Sequence, residues 1–276
     1  MDKIVLITGA NSGVGRSLAL LSASNGDSVV MVCRNKERGE NAKEEIIRLS
    51  GNNSVHLIIA DLSSLDSIKH AAFEFKNKFN SLHILVNNAG INLPIRELTA
   101  DGYEKVFATN HLAYFYLTFL LLDTLKSSAP SRVINVASNA HSAIDFNDLM
   151  SEKEYKQYKA YGRSKMANIL FTYELAERVK DYNVTVNAVH PGVVKTNIYE
   201  TVYGFPRFLI GLMMPFFLSP QKSAERILPL MYSDKFNNIS GKYFVNSIET
   251  QTKNGSYDLD LRKKLWDVSE SLINKH

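Results

Sequence analysis

The sequence is poor in cysteine and has no block of like charge. Cys33 is the only cysteine among 276 residues, so an intramolecular disulfide is excluded, and no Cys/His cluster has metal-ligand spacing. The 32 basic and 28 acidic residues are dispersed and give a formal net charge of +4. Without a Cys/His cluster we expect no metal site. Because neither a basic block nor an aromatic-interleaved basic patch is present, we expect no nucleic-acid partner.

The N-terminal residues form no apolar leader. Met1 and Asp2 directly precede a strand-like run, so we expect neither a signal peptide nor a transmembrane anchor, and a cytoplasmic location fits best. The sequence also has no internal repeat, no low-complexity tract and no linker rich in Pro, Gly or Ser. With 45% apolar residues the chain can supply a large core, and we expect residues 1–276 to form one domain.

Short apolar runs alternate with longer helical patterns along the chain. This order is typical of parallel βαβ units and predicts a doubly wound α/β domain with helices on both faces of the sheet. The expected strands are Ile4–Thr8, Val29–Val32, Val55–Ala60, Ile84–Asn87, Arg132–Ala137, Val184–Val189 and Lys242–Val245.

A glycine-rich turn, TGANSGVG, lies between the first strand and the first helix. At such a turn the backbone can approach a pyrophosphate closely, and the helix N-terminus offers free N–H groups to the anion. The alternative is a tight turn that uses glycine only for positive φ. We expect these residues to bind a nucleotide: Gly9, Asn11, Ser12, Gly13, Val14 and Gly15.

Tyr161 and Lys165 are four residues apart in YGRSK, and Ser138 ends the apolar run RVINVAS. Residues i and i+4 share a helix face, so the lysine ammonium can favour the phenolate and fit Tyr161 for general acid/base catalysis. Ser138 can donate a hydrogen bond to the same substrate oxygen. The alternative for this pattern is a solvated helix surface.

Together, TGANSGVG, NNAG (87–90), Asn110, Ser138, YGRSK and the PG at 191–192 resemble a short-chain dehydrogenase/reductase. The CRN at 33–35, the ASNAH around Ser138 and HPGVVKT resemble the retinol-dehydrogenase-like branch. This resemblance implies a single Rossmann domain with a parallel seven-stranded sheet in the order 3-2-1-4-5-6-7. The sequence from Asn197 onward carries no such motif.

The resemblance also implies roles for matching residues. It implies the catalytic residues Asn110, Ser138, Tyr161 and Lys165, of which Ser138 and Tyr161 contact substrate. It implies that the cofactor is bound by Tyr161 and Lys165 and by Asp61, Leu62, Asn88, Ala89, Gly90, Pro191, Gly192, Val194 and Thr196. Asn110 either holds a water that links Lys165 to solvent or caps a neighbouring backbone group. NNAG either borders the adenine ribose or only stabilises the exit of the fourth strand. His141 and His190 resemble scaffold residues.

Residues from five separate motifs follow five predicted strands directly: Gly9, Asp61, Asn88, Ser138 and Pro191. In a doubly wound sheet, ligands bind at the carboxyl ends of the strands. The motifs are therefore expected to meet at one edge of the sheet.

The end of the second strand indicates which dinucleotide binds. Enzymes that use NAD usually carry an acid there for the ribose 2′-hydroxyl, whereas this chain has Cys33 and Arg34. Arg34, with Asn35 and Arg38 beside it, can bind a 2′-phosphate, so the sequence favours NADP(H) over NAD(H). The alternative is that Arg34 is a solvated residue with Glu37 as its surface partner.

The segment 203–220, YGFPRFLIGLMMPFFLSP, is strongly apolar but too short and interrupted to span a bilayer. The family resemblance places a substrate lid at about 197–220, and an apolar lid indicates a lipophilic aldehyde, ketone or alcohol. Two alternatives stay open, a buried helix pair that completes the core and a peripheral membrane contact.

Two broader alternatives also stay open. The chain can be a dinucleotide-binding sensor or scaffold without catalysis, although such proteins usually lose the Tyr or the Lys. It can also form a homodimer through the YGRSK helix and the helix before it. Phe115, Phe119 and Leu170 would then line the contact, but packing within one subunit explains them equally well.

Overall fold

The computed structural model of the protein describes residues 2–193, 218–252 and 255–275. These residues form one eight-stranded sheet in the order β3-β2-β1-β4-β5-β6-β7-β8. The strands are β1 (Ile4–Thr8), β2 (Ser28–Cys33), β3 (Val55–Ile59), β4 (Ile84–Asn87), β5 (Ser131–Val136), β6 (Val184–His190), β7 (Lys242–Val245) and β8 (Ile248–Glu249). All pairs from β3 to β7 are parallel. The predicted order is confirmed, and the first seven strands lie within one residue of their predicted bounds.

The prediction of a purely parallel, seven-stranded sheet was wrong at one edge. β8 pairs with β7 in antiparallel orientation. Asn246 (φ 54°) and Ser247 (φ 58°) make a two-residue hairpin turn with both residues in the left-handed region. A strand of two residues is too short to show an alternating pattern, and Asn-Ser is a weaker hairpin signal than Asn-Gly, so the sequence did not reveal it.

Helices cover both faces of the sheet. They are α1 (Gly13–Ser24), α2 (Lys36–Ser50), α3 (Leu65–Lys78), α4 (Lys105–Phe107), α5 (Ala113–Ser127), α6 (Gln157–Arg178), α7 (Pro220–Tyr232) and α8 (Leu259–Ile273). A π-helical turn, Ala108–Leu112, joins α4 to α5. Helices α1, α2 and α7 pack over one face, and α3, α5, α6 and α8 pack over the other. Within the described ranges, no helix has both the length and the apolar character needed to cross a bilayer.

The central strands are buried along their whole length, as β5 and β6 show. Such strands read as continuous apolar runs because both faces of a parallel sheet are covered. Helix α1 follows β1, and α7 precedes the parallel strand β7, so both helices begin at the carboxyl edge of the sheet. They also pack side by side. Two helix N-termini therefore lie close together on the same edge.

Candidate active site

A cavity of about 450 Å³ opens at the carboxyl edge of the sheet. It brings together most of the residues that the motifs predicted, and the exits of the six strands β1 to β6 contribute to it. The predicted residues in its wall are Gly9, Asn11, Ser12, Gly13, Val14, Arg34, Asp61, Leu62, Asn88, Ala89, Gly90, Ser138, Tyr161, Lys165, Pro191 and Gly192. The prediction that the motifs meet at one edge of the sheet is therefore confirmed.

Four other predicted residues lie behind or beside this wall. Gly15 lies under the glycine turn, and Asn110 lies behind Gly90. Asn35 is the N-cap of α2, where its side chain accepts a hydrogen bond from the exposed Arg38 backbone N–H at 2.9 Å. Val194 and Thr196, with residues 197–217 of the expected lid, fall outside the described residues.

The glycine turn has the geometry of an anion cradle. Gly9 (φ 66°) and Gly13 (φ 56°) both adopt left-handed backbone conformations. A Cβ on Gly15 would lie only 2.4 Å from the Gly9 carbonyl oxygen, so this position must be glycine for α1 to approach the turn. The first turn of α1 has no acidic residue, and the side chain of its N-cap, Ser12, makes no capping hydrogen bond. The N-terminal N–H groups of α1 can therefore bind a phosphate.

Thr8 joins the glycine turn to the NNAG turn. Its hydroxyl accepts hydrogen bonds from the backbone N–H groups of Asn88 (2.8 Å) and Ala89 (3.0 Å). Asn88 Nδ2 donates to the Thr8 carbonyl oxygen at 2.8 Å, and the Tyr114 hydroxyl donates to the Ala89 carbonyl oxygen at 2.8 Å. Sequence reasoning gave Thr8 and Tyr114 no role, although a threonine that directly precedes the first glycine is a usable signal.

The end of β2 presents Arg34 to the cavity. Its side chain is exposed, and in the described part of the chain it makes no ion pair with Glu37 or any other acid. Cys33 beside it is buried, and burial raises the pKa of its thiol to about 12. The cysteine is therefore neutral, and the guanidinium is the charge that this strand offers to a ligand.

Helix α6 places Tyr161 and Lys165 on one face, as their spacing predicted. Lys165 is only 3% exposed, and its Nζ lies 5.6 Å from the Tyr161 ring centroid. Nζ donates a hydrogen bond to the Val136 carbonyl oxygen at 3.0 Å. Burial lowers the pKa of the Lys165 ammonium to about 7. Burial therefore disfavours the charged form of this lysine, and a bound anion would favour the ammonium again.

Ser138 follows β5 and faces the same cavity. Its Oγ accepts a hydrogen bond from the Ala140 backbone N–H at 3.1 Å, which leaves the hydroxyl proton available to a ligand. The Ser138 carbonyl oxygen accepts a hydrogen bond from His141 Nδ1 at 2.9 Å. A Cβ on Gly162 would lie 2.8 Å from the Ala140 carbonyl oxygen, so the glycine after Tyr161 lets this loop pack closely on α6.

Asn110 is fully buried in the π-helical turn. Its Oδ1 accepts a hydrogen bond from the Ile91 N–H at 2.8 Å. Its Nδ2 donates to the Ile91 carbonyl oxygen at 2.9 Å and to Ser164 Oγ at 3.0 Å. The side chain thus caps a neighbouring backbone group, one of the two interpretations of Asn110, while the relay stays a prediction.

Two buried side chains brace the loop that follows Ser138. Arg163, two residues after Tyr161 in the sequence, is 7% exposed. Its guanidinium donates to the Asp148 carbonyl oxygen at 2.8 Å and to Ser151 Oγ at 2.7 Å. Glu104 lies 3.9 Å from the same guanidinium, and its carboxylate caps α4. Burial raises the pKa of Glu104, although two backbone N–H groups and Arg163 oppose the change. This pair fixes the loop against α6.

His190 ends β6 in the wall of the cavity and is 8% exposed. Burial, followed by the charge of Arg226, lowers the pKa of its imidazole to about 4, so the ring is neutral at pH 7. Within the described residues its Nδ1 has no hydrogen-bond partner. The imidazole therefore offers an unused polar atom beside Pro191 and Gly192.

Two of the three residues considered for a dimer contact are covered by the chain itself. Phe115 and Leu170 are each 1% exposed, whereas Phe119 is 45% exposed. Trp266 of α8 packs edge-on against Phe115 with ring centroids 4.9 Å apart, and Arg178 lies over the indole ring at 4.1 Å. Packing within one subunit thus accounts for Phe115 and Leu170, and a homodimer stays a prediction.

A family model described as short chain dehydrogenase matches residues 3–204. The chain therefore belongs to the short-chain dehydrogenase family. Retinol dehydrogenase 12 of Mus musculus is 41% identical over 273 residues, which cover 98% of this chain and 86% of that protein. The chain thus falls in the retinol-dehydrogenase-like branch of the family, as its motifs predicted.

Solved structures share the fold. An uncharacterized protein from Mycobacterium Paratuberculosis is similar with a TM-score of 0.80 at 29% identity, over 99% of this chain and 93% of that one. A 3-ketoacyl-(acyl-carrier-protein) reductase from Brucella melitensis, solved in complex with NADH, has a TM-score of 0.70 at 25% identity, over 89% and 98% of the two chains. The Rossmann-like sheet with helices on both faces is therefore the fold of this family.

The donors around the cavity fit a nicotinamide dinucleotide. The close approach that Gly15 permits leaves the first turn of α1 facing the cavity, as a diphosphate requires. Lys165 and Ser138 line the same cavity, so the nicotinamide and ribose of such a ligand could reach them. No group of three or more His, Cys, Asp or Glu in the described ranges is arranged to hold a metal ion.

Proposed function

We propose that this protein is an NADP(H)-dependent oxidoreductase that interconverts a lipophilic aldehyde or ketone and the corresponding alcohol. The observation that carries this proposal is the shared cavity. Ser138, Tyr161 and Lys165 line the same space as the glycine turn at the N-terminus of α1. A carbonyl bound beside them would meet an acid/base, a hydrogen-bond donor and a cofactor in one place.

The residues divide the chemistry between them. A nicotinamide cofactor, when bound, would supply or accept the hydride. In reduction the Tyr161 hydroxyl gives its proton to the carbonyl oxygen, and in oxidation it takes that proton back. Ser138 donates its hydroxyl proton to the same oxygen, while its Oγ accepts a hydrogen bond from the Ala140 N–H that holds the side chain in place. Lys165 binds the nicotinamide ribose and favours the phenolate form of Tyr161.

NADP(H) preference rests on Arg34. Its guanidinium lines the cavity at the end of β2, is exposed, and has no acid partner in the described part of the chain. A planar guanidinium suits a phosphate, which it can bind through two parallel hydrogen bonds. The absence of an acid at this strand end, where NAD enzymes use one, supports the same preference.

A retinoid-like or similar lipophilic substrate is supported by the relatives named retinol dehydrogenases and by the apolar sequence of 203–220. We propose that residues 197–220 form the wall that holds the apolar part of the substrate. Residues Phe216 and Phe217 of this segment would also serve a peripheral membrane contact. A cytoplasmic protein that meets its substrate at a membrane surface is consistent with both features.

A turnover assay with a Tyr161→Phe variant tests the function. The purified protein would be given NADPH or NADH with a panel of aldehydes, ketones and quinones that includes all-trans-retinal. We expect NADPH oxidation with lipophilic carbonyls, and we expect Tyr161→Phe to lower kcat about a thousandfold while the Kd for NADPH is unchanged. Retained turnover in Tyr161→Phe would contradict the mechanism. Tight NADPH binding with no turnover on any substrate would favour the sensor or scaffold instead.

A further inference from the structure

Helix α7 brings an arginine, Arg226, to the turn that follows β6, at the edge of the cavity. A Cβ on Gly192 would lie 3.2 Å from Arg226 Nη1, so the guanidinium reaches the turn that follows β6. That turn and Pro220, at the start of α7, both line the cavity. Side chains on a helix lean toward its N-terminus, which directs Arg226 toward the carboxyl edge of the sheet.

The Arg226 guanidinium is half-buried and has no acid partner in the ranges that the structure describes. Its backbone is held in place, since the Ser247 hydroxyl donates to the Arg226 carbonyl oxygen at 2.7 Å. The neighbouring His190 is neutral and also lacks a partner for Nδ1. A half-buried cation without a counter-charge is costly, so an anion that enters this space would be bound favourably.

The position of α7 beside α1 indicates which anion Arg226 would bind. Helices α1 and α7 pack side by side, and both begin at the carboxyl edge. The first turn of α1 offers N–H groups to a diphosphate in the cavity, and Arg226 reaches the Gly192 turn, which lines the same cavity. The 2′-phosphate of a dinucleotide would instead meet Arg34 at the end of β2.

We infer that Arg226, from its position beside the Gly192 turn, binds the diphosphate of a dinucleotide held at the glycine turn and so contributes to the affinity for the whole cofactor. This inference rests on the proposed function, because it takes a dinucleotide as the ligand. It assigns different parts of that ligand to the two arginines. Arg34 distinguishes NADPH from NADH, whereas Arg226 serves both equally.

Direct binding measurements test this division without any turnover. The Kd values of NADPH, NADH and ADP-ribose would be measured by calorimetry for the wild type and for Arg226→Met, Arg226→Lys and Arg34→Ala. We expect Arg226→Met to weaken all three ligands about tenfold to a hundredfold, because each contains the diphosphate. Arg226→Lys should recover part of the loss, since it retains the charge without the planar fork. Arg34→Ala should weaken only NADPH.

Arg48→Met is the matched control, because it removes the same charge from an exposed site in the last turn of α2. It should leave all three Kd values unchanged, and thermal unfolding would verify that Arg226→Met remains folded. Wild-type affinity in Arg226→Met for all three ligands would overturn the inference and leave the proposed function intact. Loss of NADPH alone would overturn it too, by assigning Arg226 to the 2′-phosphate. If the wild type bound no dinucleotide, the proposed function itself would fail.

Discussion

The glycine-turn end of the cavity, formed by residues 9–15 and Arg34, differs in construction from the proposed catalytic end, formed by Ser138, Tyr161 and Lys165 and called the catalytic end below. The glycine-turn end relies on backbone N–H groups, close backbone packing and an exposed guanidinium. The catalytic end relies on polar side chains, of which Ser138 and Lys165 are buried, with Lys165 3% exposed, and Tyr161 is half-buried. Burying polar groups costs free energy, whereas backbone donors at a helix N-terminus are already available. Substitutions at the catalytic end should therefore change stability and activity in opposite directions.

The largest effect is expected at Lys165, where activity should fall and stability should rise. We expect Lys165→Met to lower kcat about a thousandfold, equivalent to roughly 4 kcal/mol. Methionine has a similar length but no charge, so the unliganded variant should be more stable near neutral pH by about 2 kcal/mol. Urea unfolding of both proteins without cofactor, together with the turnover assay, measures the two changes.

The pH dependence of that stability difference follows from the pKa of Lys165. Burial lowers this pKa from 10.5 to about 7. Below pH 7 the lysine is charged in both the folded and the unfolded state, so the folded wild type bears the full cost of burying the ammonium. Above pH 10.5 it is neutral in both states, and the cost disappears. The advantage of Lys165→Met should therefore decline as the pH rises from 7 to 10.5, and a constant difference would contradict this account.

The next effect concerns backbone packing at the glycine-turn end. A Cβ on Gly15 would lie 2.4 Å from the Gly9 carbonyl oxygen, and neither backbone can move easily. We expect Gly15→Ala to destabilise the protein by about 3 kcal/mol and to weaken cofactor binding, because the turn must open. Denaturant unfolding and calorimetry with NADPH measure both changes.

Gly39→Ala is the control for this prediction, since Gly39 also lies in a helix on the same face of the sheet. A Cβ there would lie 2.9 Å and 3.0 Å from the two Leu57 methyl carbons, which can rotate away. The cost of Gly39→Ala should be below about 1 kcal/mol, because alanine also favours the helix. Equal destabilisation by the two substitutions would show that the close contact at Gly15 has no special importance.

Much of the glycine-turn end could be predicted from the sequence. The apolar run of β1 and the glycines after it are contiguous, so strand, turn and helix are visible together in TGANSGVG. The exits of the other strands could also be placed, because the strands of a parallel sheet end at a common edge. Where the functional groups belong to the backbone or immediately follow a strand, the local sequence pattern was sufficient to predict their position.

Contacts between residues far apart in the sequence could not be predicted at either end of the cavity. Asn110 bonds to Ile91 and Ser164, and Thr8 bonds to Asn88, across long separations in the sequence. Such pairs have no characteristic spacing, because the fold alone brings them together. Arg226 likewise lies in an amphipathic helix without a motif, and only the packing of α7 beside α1 reveals its place.

The smallest expected effect is at Arg34, and it tests whether the glycine-turn end recognises its ligand through an exposed charge. We expect Arg34→Ala to weaken NADPH binding about tenfold and to leave NADH binding unchanged, because only NADPH carries the 2′-phosphate. The free energy of unfolding should change by less than about 0.5 kcal/mol, since the side chain is exposed. Arg38→Ala, one turn later and also exposed, should have a smaller effect on NADPH. An equal loss of NADPH and NADH in Arg34→Ala would count against the 2′-phosphate assignment, and it would place this arginine with Arg226 at the diphosphate.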